Sequence, residues 1–350
     1  MEEIYLAENI KFTAKENVLA VFCDSALKTV SSAIFNGGVN QVKAVLNVGV
    51  PEGYNDRSLH LDPLQLITSS AAKLGLTENY LAMVTAAKIQ NYSLVTDKGD
   101  DFSVSVVATA GCKHGESSGE DMNVQEMMGT INVIVFIDGN PNDSCMVAAM
   151  ITATEAKSAA LRDLDVRSYY TGDSATGSIT DSVTVVTSGK GKALSLAGPA
   201  SRVGKLVGSC TRRAVTEALL KQEPFWCSRT VLDRLKERHL PLEKLAAEVS
   251  KVEGLAVNEK ELGEIFGQNP DASARLLAAA KMDDDYKKNL LPSDFKNWRE
   301  ITDCLAAFPL EQDFRVLPAH GGVDLPPFTK QALINIVGEA LSRGKLKRLK

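Results

Sequence analysis

Residues 129–144 read GTINVIVFIDGNPNDS, and this stretch indicates the fold class. Positions 131–137 are almost entirely β-branched or aromatic and lie between two glycines, a composition typical of a buried central strand. The Pro-Asn-Asp-Ser turn that follows is a helix N-cap signal, and an Ala-rich helical pattern continues to about Asp163. A buried strand followed at once by a long helix predicts a sheet with helices packed on it.

Further strand and helix signals lie on both sides of this stretch. Apolar runs bounded by Gly, Ser and Thr predict strands at 18–22, 42–48, 81–86, 104–108 and 183–187. A second helix is predicted from about Ser201 to Lys221. The fold class we expect is α+β with α/β-like character: a mixed β-sheet domain with packed helices.

The pattern changes near Pro224. Beyond it the sequence consists of consecutive amphipathic helical patterns, for example at 231–238, 242–252 and 272–281, with almost no strand signal. The change predicts two domains, a sheet domain at 1–223 and a smaller all-α domain at 224–350.

Composition and charge exclude several classes of protein. The net charge of −5 provides no basic field for nucleic acid, and the one basic cluster, at 345–348, is at the end of the chain. No apolar run is long enough to span a bilayer, and the acidic start is unlike a secretory signal. We therefore expect a cytoplasmic protein that binds neither nucleic acid nor membrane, and a homo-oligomer is compatible with the sequence.

Three short motifs match known functional patterns, but each lacks a feature that the function requires. Residues 115–119 fit the Gly-x-Ser-x-Gly nucleophile elbow, but Cys112-Lys113-His114 separates them from the preceding strand. Residues 198–206 resemble a P-loop with one residue too many and with Leu206 where a magnesium-binding hydroxyl is required. Cys112 and His114 are two metal-ligand types without a further cluster, and the six cysteines form no CxxC pair, so we expect no metal site.

Small and polar residues are concentrated at the predicted strand ends, where backbone amides and side chains can converge on a ligand. Asn36-Gly37 is also a good hairpin turn, and the sequence alone favours the turn. Glu155 and Lys157 lie on the Ala-rich helix, either as a solvated charged face or as groups for acid/base chemistry. Both alternatives stay open at this point.

Taken together, these segments resemble the adenosylcobinamide amidohydrolase family over roughly residues 15–221, most strongly at 151–169. The motifs that carry the resemblance are Ser-Ser-Ala…Asn-Gly-Gly at 31–38, Met-Val-Thr-Ala-Ala at 83–87, Thr-Ala-Gly at 109–111, Gly-Thr-Ile-Asn at 129–132, Thr-Glu-Ala-Lys at 154–157, Asp-Val-Arg-Ser at 165–168 and Thr-Gly…Thr-Asp at 176–181. The helical C-terminal region lies outside it.

The resemblance implies hydrolysis of the amide that joins aminopropanol to the corrinoid ring, giving adenosylcobyric acid and 1-amino-2-propanol in corrinoid salvage. The cobalt corrinoid is then the substrate, and no cofactor is expected. Glu155 is the expected general base, with Lys157 orienting it or stabilising charge and Asn36 donating to the oxyanion. The expected substrate-binding residues are Ser31, Ser32, Gly37, Gly38, Thr109, Thr130, Asn132, Thr154, Thr176, Thr180 and Asp181.

The sequence departs from the family pattern at two places. Family members continue after Thr-Ala-Gly with an Asn, and they carry a His in the stretch that aligns with 198–202. This chain has Cys112-Lys113-His114 and Ala200 at these places. Two alternatives therefore accompany the hydrolase: a catalytically inactive corrinoid-binding or regulatory protein, and an unrelated small-molecule enzyme.

Overall fold

A computed structural model describes residues 4–51, 63–121, 129–251, 257–291 and 325–342. The basic cluster at 345–348 lies outside these residues. The chain divides into two compact units, one ending at Ser228 and the other starting at Arg229, except that Thr171–Asp173 group with the second.

In its described residues, the first unit contains the sheet and three α-helices. The helices are α1 (Leu64–Lys73), α2 (Asp143–Asp163) and α3 (Arg202–Gln222). The strands, in chain order, are β1 (Ile4–Ala7), β2 (Ile10–Lys15), β3 (Val18–Ser31), β4 (Gly38–Gly49), β5 (Tyr80–Thr85), β6 (Ser93–Lys98), β7 (Ser103–Gly111), β8 (Thr130–Asp138), β9 (Asn140–Pro141), β10 (Ser182–Thr187) and β11 (Ala193–Leu194).

Nine of these strands form one mixed sheet in the order β1-β2-β3-β10-β8-β7-β6, with β4 paired to β3 and β5 paired to β4. Strands β8 and β10 are parallel, while β3 and β7 run antiparallel to them. Consequently β8 and β10 begin at the edge where β3 and β7 end. Four strand ends, and the loops attached to them, therefore meet at one edge of the sheet.

The central strand β8 is buried on both faces, which explains its continuous apolar sequence. Alternate side chains point to opposite faces of a strand. Val133 and Val135 pack in the core that includes α2 and α3, whereas Ile134 and Phe136 pack with the core formed by β2 to β5. The predicted α+β class, a mixed sheet with packed helices followed by a helical region, is confirmed.

The two long helices begin where the sequence predicts. Asn142 caps α2 by accepting a hydrogen bond from Cys145 N at 2.8 Å, and Ser201 caps α3 by accepting from Gly204 N at 3.0 Å. Each cap satisfies one of the backbone N–H groups that the first turn of a helix leaves without an intrahelical partner.

The described part of the second unit is helical. Its helices are α4 (Val231–Glu237), α5 (Leu242–Val249), α6 (Glu259–Gln268), α7 (Pro270–Lys287) and α8 (Pro327–Ser342). Arg275 makes two hydrogen bonds to Glu339, at 2.7 and 3.0 Å, inside this bundle. Asp283 of α7 accepts from the backbone N–H groups of Phe328 and Thr329 at the start of α8. The unit thus has its own core and its own buried polar links.

Candidate active site

The end of β3 is joined to the start of β10 by serine side chains. Ser31 is buried, and its Oγ lies 2.6 Å from Oγ1 of Thr184. The hydroxyl of Ser32 accepts from Val183 N at 2.9 Å and lies 3.1 Å from Oγ of Ser182. Both predicted residues therefore lie at the sheet edge, immediately beside Asp181.

Asp181 accepts hydrogen bonds from several groups at this edge. Its Oδ1 accepts from Ile131 N at 2.9 Å and from Ser178 Oγ at 2.5 Å, and its Oδ2 accepts from Ser178 N at 3.0 Å. Oδ2 also forms an ion pair with Nζ of Lys157, and the two side chains are only 12% and 9% exposed. The ammonium of α2 is thus held against the start of β8 by a carboxylate whose own position is fixed.

Gly177 lies directly against this ion pair. A Cβ at position 177 would lie 2.6 Å from Nζ of Lys157 and closer still to Oδ2 of Asp181. Contacts that short do not occur between real atoms, so only glycine leaves room for the pair in this geometry.

The loop after β7 folds onto the same place. Glu116 N donates to Gly177 O at 3.0 Å, and Glu116 O accepts from Thr176 N at 2.8 Å. We call residues 112–121, 129–130 and 176–181, together with Lys157, the loop cluster. Oε2 of Glu116 is buried and has no hydrogen-bond partner among the described residues. Burial raises the pKa of Glu116, the charges of Asp181 and Glu120 raise it further, and Lys157 opposes this.

His114 and Tyr169 form an aromatic pair beside Glu116. Their ring centroids are 4.3 Å apart in a stacked arrangement, and Tyr169 N donates to Gly115 O at 2.8 Å. His114 is buried, and in the described part of the chain its Nδ1 has no hydrogen-bond partner. Tyr169 is 57% exposed, so the pair presents an aromatic surface to solvent next to the loop cluster.

Cys112 is the buried thiol of the loop cluster. Its Sγ lies 3.5 Å from Gly177 O, and burial raises its pKa well above the ordinary value. A thiol that is held neutral is a poor nucleophile and a poor metal ligand. Its position favours a structural role.

Three predicted threonines also lie in the loop cluster. Oγ1 of Thr130 is 2.8 Å from Oγ1 of Thr180, and Thr180 also donates to Gly129 O at 3.2 Å. Oγ1 of Thr176 accepts from Ser118 N at 2.9 Å. These hydroxyls link the start of β8 to the two loops that cover it.

Thr109 and Asn132 belong to a buried polar cluster inside the curled sheet. Asn47 connects them: its Nδ2 donates to Thr109 Oγ1 at 2.9 Å, and its Oδ1 accepts from Asn132 Nδ2 at 2.8 Å. Asn132 also donates to Val84 O at 2.9 Å. Both predicted residues are 1% exposed, so their side chains support the sheet beneath the edge.

Asn36 is placed as a turn residue. Its φ of 52° is left-handed, and its Nδ2 donates to Tyr80 O at 2.9 Å. The segment connects β3 to β4, with Ser31 paired to Gly38. Asn36 therefore lies in a turn, as the sequence alone favours, and one of its two side-chain N–H groups holds the start of β5. Gly37 and Gly38 lie in this same turn.

Glu155 and Thr154 lie apart from Lys157. Residues two apart on a helix do not face each other, and Lys157 makes its ion pair with Asp181 rather than with Glu155. Glu155 is exposed in a groove of about 790 Å³ between α2 and α3. Thr154 is exposed and donates to Met150 O at 2.9 Å, within its own helix.

Sequence reasoning missed Glu116 and the His114–Tyr169 pair. Both lie in or against residues 112–119, where the sequence offered a serine motif and two metal-ligand types rather than a carboxylate. Among the described residues, no group of three His, Cys, Asp or Glu side chains is placed to hold a metal ion. In the same residues, no helix combines the length and the hydropathy that crossing a bilayer requires.

Comparison with known proteins shows the family to which the chain belongs. Residues 1–225 match the family model described as adenosylcobinamide amidohydrolase. The chain belongs to this family. An adenosylcobinamide amidohydrolase of Methanosarcina mazei is 27% identical over 217 residues, 61% of this chain and 94% of that protein. An uncharacterised protein of Methanocaldococcus jannaschii is 28% identical over 207 residues, 53% of this chain and 80% of that protein.

The adenosylcobinamide amidohydrolase match contains the whole loop cluster. It ends at residue 225, three residues before the first unit ends at Ser228. The helices of the second unit therefore lie outside the family region, and the amidohydrolase role at family level attaches to the sheet unit.

Proposed function

We propose that this protein hydrolyses the amide bond between aminopropanol and the corrin ring of adenosylcobinamide, releasing adenosylcobyric acid and 1-amino-2-propanol. The cobalt corrinoid is the substrate, and the protein acts as a cytoplasmic enzyme of corrinoid salvage. The proposal is supported by the family match and by the name of the M. mazei relative. The reaction site we propose is the loop cluster.

The observation that carries the proposal is the buried Lys157–Asp181 ion pair at the strand ends. Amide hydrolysis passes through a tetrahedral intermediate whose oxygen is negatively charged, and a fixed positive donor stabilises that charge. Asp181 uses one of the three ammonium protons of Lys157, which leaves others for the substrate. Because Asp181 is itself held by Ile131 and Ser178, the ammonium is positioned before the substrate binds.

Two further features suit a corrin ring. Its faces are apolar and its rim carries amides. The exposed ring of Tyr169 offers an apolar surface beside the loop cluster. The hydroxyls of Thr130, Thr176 and Thr180 offer donors and acceptors at the same edge. The proposed division of labour is stacking at Tyr169 and hydrogen bonding at the threonines.

The direct test is incubation of the purified full-length chain with adenosylcobinamide, with mass spectrometry to detect 1-amino-2-propanol and adenosylcobyric acid. We expect both products in equal amounts, one per substrate consumed. A change in the visible absorption of the corrinoid without product would contradict the hydrolase and indicate a corrinoid-binding protein. Neither binding nor product would overturn both.

The role of Lys157 is tested by Lys157→Met, with Lys205→Met in the groove beside Glu155 as the matched control. Loss of a fixed oxyanion donor lowers kcat by about 10² to 10³-fold. The same change leaves Asp181 buried without its cation, which costs about 3–5 kcal/mol of stability, so thermal unfolding is measured alongside. Full activity in a folded Lys157→Met variant would remove the observation on which the proposal rests.

A further inference from the structure

We infer that Glu116 is the catalytic residue that moves the proton in this reaction, a role that rests on the proposed function. Sequence reasoning gives this role to Glu155. The two carboxylates lie in different surroundings, so the structure separates them.

The position of Glu116 is set by backbone contacts on both sides. Its N–H and C=O both bond to the loop that carries Gly177, and Gly177 lies against the Lys157–Asp181 pair. Through Gly177, the backbone of Glu116 is therefore fixed beside the segment that lies against the Lys157 ammonium, and Lys157 acts electrostatically on the Glu116 carboxyl. A general base and an oxyanion donor must both reach one carbonyl group, and this placement is the geometric basis of the inference.

One oxygen of the Glu116 carboxyl takes no part in the hydrogen bonds of the described structure. Its Oε2 is buried without a hydrogen-bond partner among the described residues, a costly state for a polar atom. The neighbouring Nδ1 of His114, two residues earlier in the loop, is in the same state. Two such atoms in one loop indicate a place for a ligand or a water molecule with its own donors and acceptors.

The other acidic groups nearby have structural partners. Oε2 of Glu120 accepts from Ser168 Oγ at 2.6 Å and from Ser117 N at 3.2 Å, which braces the loop. Both carboxylate oxygens of Asp181 accept several hydrogen bonds. Glu223 accepts from Cys112 N and from Trp226 Nε1. Among the described residues of this group, Glu116 is the carboxylate with a buried oxygen that accepts no hydrogen bond, and this oxygen can therefore accept a proton.

The proton balance of the step is complete with water as the only co-reactant. The Glu116 carboxylate takes a proton from water while the water oxygen bonds to the amide carbon, and Lys157 stabilises the oxyanion. The protonated Glu116 then gives that proton to the amine nitrogen as the C–N bond breaks. The products are the corrinoid carboxylic acid and the amine, and Glu116 is ionised again.

The charges around Glu116 set the direction of its pH dependence. Asp181, Glu120 and the desolvation of the site raise its pKa, while Lys157 lowers it, and the net shift is upward. Cys112 faces the same group and stays neutral because its own pKa is raised. Since the base must be ionised, kcat/KM should fall as the pH decreases through the raised pKa of Glu116.

The test compares Glu116→Gln with Glu155→Gln, two changes that each remove one carboxylate and keep the side-chain shape. For Glu116→Gln we expect kcat to fall by about 10² to 10⁴-fold, with little change in corrinoid affinity, and the acidic limb of the pH profile to disappear. For Glu155→Gln we expect wild-type kcat and the wild-type pH profile.

A second readout does not depend on turnover. In protein labelled with ¹³C at the glutamate carboxyl carbon, the NMR signal missing from Glu116→Gln should titrate above the ordinary range of glutamate. Wild-type turnover together with an unchanged kcat and pH profile in Glu116→Gln would overturn the inference and leave the proposed function standing. No turnover by the wild type would overturn the proposed function, and the role of Glu116 with it.

Discussion

The two faces of α2 carry charged residues only two positions apart, yet their surroundings are opposite. Lys157 is buried and paired with Asp181 at the sheet edge. Glu155 is exposed in the groove between α2 and α3, near Lys205 and Arg212. Successive helical residues are rotated by about 100° around the axis, so a short charged motif is divided between two surfaces.

This difference is the reason why we propose the Lys157 face of α2 as the reaction site. On the Lys157 side, loops from four strand ends converge, and some of their buried polar atoms have no hydrogen-bond partner among the residues that the structure describes. On the Glu155 side, charges pair across the surface, as Arg212 does with Asp163 and Arg213 with Asp97. Exposed ion pairs of that kind contribute little free energy of folding.

Among variants that keep every charged group of the site, the largest effect is expected from Gly177→Ala. The added methyl group would meet side-chain atoms of Lys157 and Asp181 rather than backbone, so the fold should survive while the pair moves. A displacement of about 1 Å at a reaction site costs about 10²-fold in rate. The measurement is kcat for adenosylcobinamide together with the melting temperature.

The matched control for that change is Gly208→Ala on α3. A Cβ there meets only Thr152, at 3.6 Å, an ordinary van der Waals contact. Replacing a helical glycine by alanine should stabilise the unit by up to about 1 kcal/mol and leave kcat unchanged. Equal losses of activity in both variants would show that the Lys157 face is not special.

A small effect is expected from Glu155→Lys, which reverses a charge in the groove. Because Glu155 is exposed, we expect a change in stability within about 0.5 kcal/mol and a kcat close to wild type. Chemical denaturation and steady-state kinetics measure the two quantities. A large loss of kcat here, in a stable protein, would return the reaction site to the other face of α2.

Much of the fold could be predicted because strands, helix caps and helices depend on residues that are close together in the sequence. The β8 run, the Asn142 cap and the two long helices all appear as expected. The sequence indicated 18–22 as a strand, whereas β3 continues to Ser31, because irregular pairing between Phe22 and Leu27 interrupts its pattern without ending it. Strands β1, β2 and β6 and helix α1 were not predicted, although β2 alternates apolar and polar residues along Ile10–Lys15.

The site was only partly predictable for a different reason. Thr130, Thr180 and Asp181 could be selected because polar residues at strand ends meet at one sheet edge, and Lys157 because it belongs to a motif of the family resemblance. Glu116 could not, because its role depends on the loop after β7 folding onto the loop before β10, about 60 residues later. No local pattern encodes that contact, and a hydrogen bond between distant backbones leaves no signal in the identity of the side chain.

The most direct test of the site's location is hydrogen–deuterium exchange of the full chain with and without adenosylcobinamide, under conditions where turnover is slow. We predict that binding of adenosylcobinamide slows exchange in residues 112–121 and 176–181 and leaves residues 202–217 of α3 unchanged. Protection confined to 202–217, with the loop cluster exchanging as in the free protein, would contradict this prediction.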